Sequence, residues 1–105
     1  MYVRLITFHV RPWVAEAHAT SVYEGMLNVM RTQRGFQGMS LLLNEHTREA
    51  ISLSYWKDQT CAIEAGSSIL PLLMERAAEF VDRPPEVAGF ELVRQETHHS
   101  QSVTR

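Results

Sequence analysis

The chain has 105 residues, 45% of them hydrophobic, with ten Lys and Arg against twelve Asp and Glu and a formal net charge of −2. That length suits one domain and that apolar fraction suits a packed core, while the scattered positive charges exclude the clustered basic surface that phosphate backbones require. Cys61 is the only cysteine, which excludes an internal disulfide and agrees with a reducing compartment.

Tyr2 to Val10 is rich in β-branched and aromatic residues and is predicted as a first strand. Val3, Leu5, Thr7 and His9 share one face of it, and Arg4, Ile6, Phe8 and Val10 the other. Both faces are largely apolar, the mark of an inner strand covered on two sides. Pro12 suits the first turn of the helix that follows. Val14, Ala17, His18, Ser21, Val22, Gly25, Met26, Val29 and Met30 recur at helical spacing, which predicts a long helix from Val14 to about Arg34 with Gly35 as its C-cap. Met39 to Asn44 is the second predicted strand, Glu45 to Arg48 a polar hairpin, and Glu49 to Trp56 the third strand. Ser52, Ser54 and Trp56 lie together on one face of that third strand.

Asp58 is placed to cap a short helix from Gln59 to about Ala65. Gly66-Ser67-Ser68 then predicts a break, and a second helix is expected from Ile69 to about Val81 with Pro71 in its first turn. Val87 to Gln95 is the fourth predicted strand, and Glu96 to Arg105 is a polar, unpatterned tail expected to be disordered. The domain is therefore expected over 1–95 and the tail over 96–105. The order is βαββαβ, an α+β ferredoxin-like arrangement with a four-stranded antiparallel sheet and helices on one face. The other face needs a cover, and a second copy of the chain is the simplest one, which predicts a homodimer closed as an α+β barrel. No run reaches the roughly 20 apolar residues that span a bilayer, and Met1-Tyr2-Val3-Arg4 lacks the layout of a signal peptide. A soluble cytoplasmic protein with no membrane partner is expected.

Two segments carry a resemblance. Arg34-Gly35-Phe36-Gln37-Gly38 resembles the glycine-aromatic-x-glycine turn of the antibiotic biosynthesis monooxygenase superfamily, and Ser52-Leu53-Ser54-Tyr55-Trp56-Lys57-Asp58 resembles its strand-Trp-helix junction. The resemblance runs from about Tyr2 to Val93 and implies a dimeric α+β barrel with a pocket between sheet and helices. Members that oxidise aromatic polyketides without metal or flavin imply Trp56 as the pocket tryptophan, with Ser52 where such members carry an Asn and Arg76 near their helix Arg. The haem-degrading pattern is not met, because Leu73-Met74-Glu75 stands where an axial His belongs.

On this reading Trp56 orients a substrate through its indole N–H, His9 or His18 accepts a proton, and Arg76 steadies negative charge. Ser52, Ser54, Phe8, Met26 and Met74 line the pocket. Each also has a structural reading: Trp56 as core, His9 as a hydrogen-bonded strand end, Arg76 as a solvated helix residue. Met30 and Met39 join the adaptable core lining, and Cys61 packs as a small apolar group. His46 and His98-His99 are expected in solvent, without the spacing of a metal site. No phosphate loop is present, so NAD, FAD, ATP and metal cofactors are not expected. The implied function is a cofactor-independent monooxygenase for a small aromatic or polyketide-like substrate. The alternative is a non-catalytic small-molecule-binding or stress-response barrel.

Overall fold

A computed structural model describes residues 1–98. Its elements are β1 (Tyr2–His9), α1 (Glu16–Met30), β2 (Phe36–Asn44), β3 (Glu49–Trp56), α2 (Gln59–Ala77) and β4 (Glu86–Glu91). The four strands form one antiparallel sheet in the order β2-β3-β1-β4, with both helices on one face. The ferredoxin-like βαββαβ fold expected from the sequence is the fold observed. β1 and β3 lie in the middle, and for β1 this is the place its two apolar faces require.

The period-two alternation decides what each strand buries. Arg4, Ile6 and Phe8 of β1 and Ala50, Ser52, Ser54 and Trp56 of β3 point under the helices and are buried. Val3, Leu5, Thr7 and His9, with Ile51, Leu53 and Tyr55, lie on the opposite face and are half-buried. Gln37 is an extra residue in β2, where the register shifts between Phe36 and Gly38. This bulge keeps Phe36, as well as Met39 and Leu41, on the helix side of the sheet.

Several predicted boundaries shift. The first helix starts at Glu16, because Arg11 to Val14 closes a turn through Val14 N–H to the Arg11 carbonyl at 3.0 Å. Pro12 therefore serves that turn and not the helix. The helix stops at Met30, so Gly35 is not its cap. Its inward residues are Val22, Met26, Val29 and Met30, whereas Ala17, His18 and Ser21 are exposed. β4 ends at Glu91 and not at Gln95. Its partner β1 begins at Tyr2, which pairs with Glu91, and the ladder ends one bond later where Leu92 N–H donates to the Met1 carbonyl at 2.8 Å. Residues 92–98 carry no regular structure, and the rest of the expected tail, including His99, lies outside the described residues.

The largest revision concerns α2. One continuous helix runs through Gly66 and Pro71, where two helices were expected. Gly66 is there for space: a Cβ at this position would stand 2.8 Å from Nη2 of Arg4. Pro71 withholds one backbone donor, but burial of Ala62, Ala65, Ile69, Leu73 and Ala77 along one stripe outweighs that loss. Asp58 caps the start by accepting from the Cys61 N–H at 2.9 Å, and that bond leads the causes that hold its carboxyl below the usual carboxylate range.

Gly35 adopts φ +80°, in the left-handed region, and a Cβ there would meet Cys61 Sγ at 2.5 Å and Cys61 Cβ at 2.6 Å. Its carbonyl accepts from Lys57 N–H at 2.8 Å, joining the turn before β2 to the junction after β3. Gly35→Ala combines backbone strain with overpacking and is expected to lower stability by about 2–4 kcal/mol. Urea denaturation measures this. Adding Cys61→Ala should recover part of the loss by removing the sulfur, while the Cβ contact remains; no recovery would show that the sulfur is not the cause.

Candidate functional site

Between the sheet and the two helices lies an apolar chamber of about 60 Å³ that is open to solvent. Phe8, Ala50 and Ser52 form its floor, with Met39 and Leu41 beside them. Val22, Tyr23 and Met26 of α1 and Leu73 and Ala77 of α2 form its walls. Tyr23 is held by its hydroxyl, which donates to the Met39 carbonyl at 3.0 Å.

The mouth is aromatic. His18 and Phe80 line it, and Trp13, 52% exposed, packs against both at ring distances of 5.4 and 5.6 Å. His18 Nδ1 accepts the Ala15 N–H at 2.9 Å, which caps α1. A neutral imidazole in this arrangement carries its proton on Nε2. Nδ1 is thus engaged by the backbone at the start of α1.

A second, inner niche adjoins the chamber and shares Met26, Met39, Ser52 and Leu73 with it. It measures about 10 Å³, close to the space of one water molecule. Arg4, Ser52 and Ser54 supply its polar lining. Arg4 is 8% exposed and donates from Nη2 to the Ala62 carbonyl at 2.6 Å. Its Nη1 is buried with no hydrogen-bond partner, and no carboxylate pairs with the guanidinium among the described residues. Burial pushes the Arg4 pKa down from its ordinary value, with Tyr2 opposing. Guanidinium stays charged even so, which leaves a buried cation with an unspent donor.

The expected site residues divide into two groups. Phe8, His18, Ser52 and Met26 line the chamber, and Ser54 lines the niche. Trp56 is fully buried beneath α2 and lines neither; its Nε1 donates to Ser54 Oγ at 2.9 Å, and Phe36 packs edge-on at 5.5 Å. His9 lies on the opposite face of the sheet from Phe8, away from the chamber. Arg76 is exposed, with its Nη1 lying 3.1 Å from where a Cβ on Gly25 of α1 would stand, and Met74 is half-buried outside both spaces. Arg4, Trp13 and Phe80 were not among the expected residues. The signal for Arg4 was a charge on the same strand face as Ile6 and Phe8.

Among the described residues no group of three or more His, Cys, Asp and Glu is placed to hold a metal ion, and no helix is long and apolar enough to cross a membrane. No family model and no curated protein matches the sequence. Solved structures do match over most of the chain. SnoaB from Streptomyces nogalater, a cofactor-independent oxygenase, is 21% identical with a TM-score of 0.64 over 90% of this chain and 92% of that one. A protein from Nitrosomonas europaea, provisionally described as an antibiotic biosynthesis monooxygenase, is 12% identical with a TM-score of 0.71 over 90% and 100%. Rv0793 from Mycobacterium tuberculosis is 17% identical with a TM-score of 0.70 over 92% and 100%. The chain thus has the fold of antibiotic biosynthesis monooxygenase structures, as the resemblance of its two motifs implied.

Proposed function

We propose that the chain binds a compact aromatic quinol in the chamber between sheet and helices and oxygenates it without a cofactor. The carrying observation is the chamber itself: apolar walls to hold a ring, open at one end, with a polar niche at the other. The cofactor-independent oxygenase SnoaB, on the same fold, supports the reaction class. The small volume favours one ring over a fused polyketide skeleton.

A quinol can supply its own electrons. One oxygen atom of O₂ bonds to a ring carbon, the O–O bond breaks, and the other atom leaves as water with two substrate hydrogens. The quinol becomes a hydroxyquinone, so atoms and electrons balance without an added reductant. The protein contributes orientation and exclusion of water, with His18 Nε2–H as a donor at the mouth. Trp56 acts at one remove, by holding Ser54 in place.

The opposite face of the sheet also needs a cover. β4 is exposed along its whole length, and the face bearing Val3, Leu5, Ile51, Leu53, Tyr55 and Leu42 has no covering element among the described residues. A second copy of the chain covers it, completing a dimeric barrel.

Oxygen uptake by metal-stripped protein with a panel of one-ring quinols tests the reaction. Uptake of one O₂ per quinol, with one labelled atom in the product, is expected. Val22→Phe fills the chamber and should lower the rate about 100-fold by displacing the ring. Binding without uptake would leave the non-catalytic barrel as the function; undiminished turnover by Val22→Phe would place the chemistry elsewhere.

A further inference from the structure

We infer that the inner niche is an oxyanion site: Arg4, with the hydroxyls of Ser52 and Ser54, selects ligands that place one negatively charged oxygen there. The inference builds on the proposed aromatic ligand and identifies the form in which it binds.

Three observations carry it. Arg4 is more than nine-tenths buried, yet Nη1 has no partner. Leaving a buried charged donor unsatisfied costs stability, so the arrangement calls for an acceptor that the described residues do not contain. The position is also built. Gly66 leaves room in α2 for the guanidinium, and the Ala62 carbonyl fixes Nη2 so that Nη1 is the unspent end. Finally, the hydroxyls are free to donate. Ser54 Oγ accepts from Trp56 Nε1, which leaves its single O–H for another acceptor, and among the described residues neither serine hydroxyl has a hydrogen-bond acceptor.

The niche has room for about one oxygen atom, and the chamber beside it is apolar. A phenolate matches this pair of spaces: the ring lies in the chamber and the oxygen in the niche. A carboxylate carries a second oxygen, which would remain against apolar walls. Pairing with Arg4 favours the ionised hydroxyl, so the site prepares an electron-rich phenolate without a nearby general base. The proton passes to solvent as the phenolate enters.

The test uses 4-nitrophenol, whose absorbance reports its ionisation, and 4-nitroanisole, the same ring without an ionisable oxygen. Wild type should bind the nitrophenolate about 10–100-fold tighter than the anisole and lower the apparent pKa of the bound phenol. Arg4→Met should lose that preference and the pKa shift while keeping its affinity for the anisole. Arg4→Lys should keep part of both, since a charge remains. Circular dichroism and denaturation check folding, and Met in place of the buried cation should preserve it. Equal binding of the two compounds by wild type, or a preference that survives Arg4→Met, overturns the inference while leaving the aromatic chamber intact. If neither compound binds, the chamber fails as a ligand site and the oxyanion site fails with it. Loss of folding in both Arg4 variants would assign the guanidinium to the scaffold, and the wild-type preference and pKa shift would then have to be abolished by Ser52→Ala with Ser54→Ala, or the inference is overturned.

Discussion

Trp56→Ala is expected to lower stability by about 3–5 kcal/mol, the range for emptying an aromatic site in a packed core. The indole is fully buried, packs edge-on against Phe36, and uses its only polar atom on Ser54. Truncation therefore removes apolar burial, leaves a cavity beneath α2, and strands the Ser54 hydroxyl. Urea denaturation at fixed protein concentration measures the loss. Trp56→Phe separates the contributions, because it keeps a ring and removes the N–H. It should cost about 1–3 kcal/mol and weaken nitrophenolate binding through the released Ser54, with less effect on nitroanisole. A change below about 1 kcal/mol for the alanine variant would contradict a core role. Lost turnover by Trp56→Phe with unchanged stability would restore the direct ligand contact that the sequence suggested.

Leu53→Lys is expected to convert a dimer into a folded monomer. Leu53 sits at the centre of the open sheet face, paired with Leu5 on one side and Ser40 on the other. Its side chain points away from the helices, so the subunit core does not need it. In a face-to-face dimer the lysine would be buried opposite another apolar sheet without a partner. That burial costs several kcal/mol, which corresponds to at least a 100-fold weaker dimer. Sedimentation velocity across a dilution series reads the change directly. Wild type that stays monomeric at high micromolar concentration, or a Leu53→Lys dimer of unchanged affinity, would remove the second copy as the cover. The same variant tests whether the chamber needs the partner: nitroanisole affinity should be retained by the monomer, because Phe8, Ser52, Val22, Met26 and Leu73 already meet around the chamber within one chain.

The strands and their faces were legible in the residues. Alternation along β1 and β3 separates Arg4, Ile6 and Phe8 from Val3, Leu5 and Thr7, and the order of elements follows from the turn and helix signals. The candidate site was legible only in part. Ser52 and Phe8 lie on the sheet face that the helices cover and Met26 on the inward stripe of α1, so side-chain direction brought them together. His9 differs from Phe8 by one position, and one position in a strand reverses the face. Arg76 illustrates a different limit, since helical spacing does not say whether a long side chain turns inward or lies across its neighbour, here Gly25.

Local sequence therefore determined the strands, their two faces, the capped start of α2 and the order of elements along the chain, because backbone propensity and side-chain periodicity act over a few residues. It was tertiary packing that decided the continuity of α2, the burial of Arg4 and the polarity of the niche. Those depend on Arg4 meeting Gly66 and Ala62 across roughly sixty positions of chain. Read locally, Gly66 and Pro71 break a helix and Arg4 is an ordinary charge. Once packed, the glycine is the space that admits the guanidinium, and the surrounding apolar contacts hold the helix through the proline.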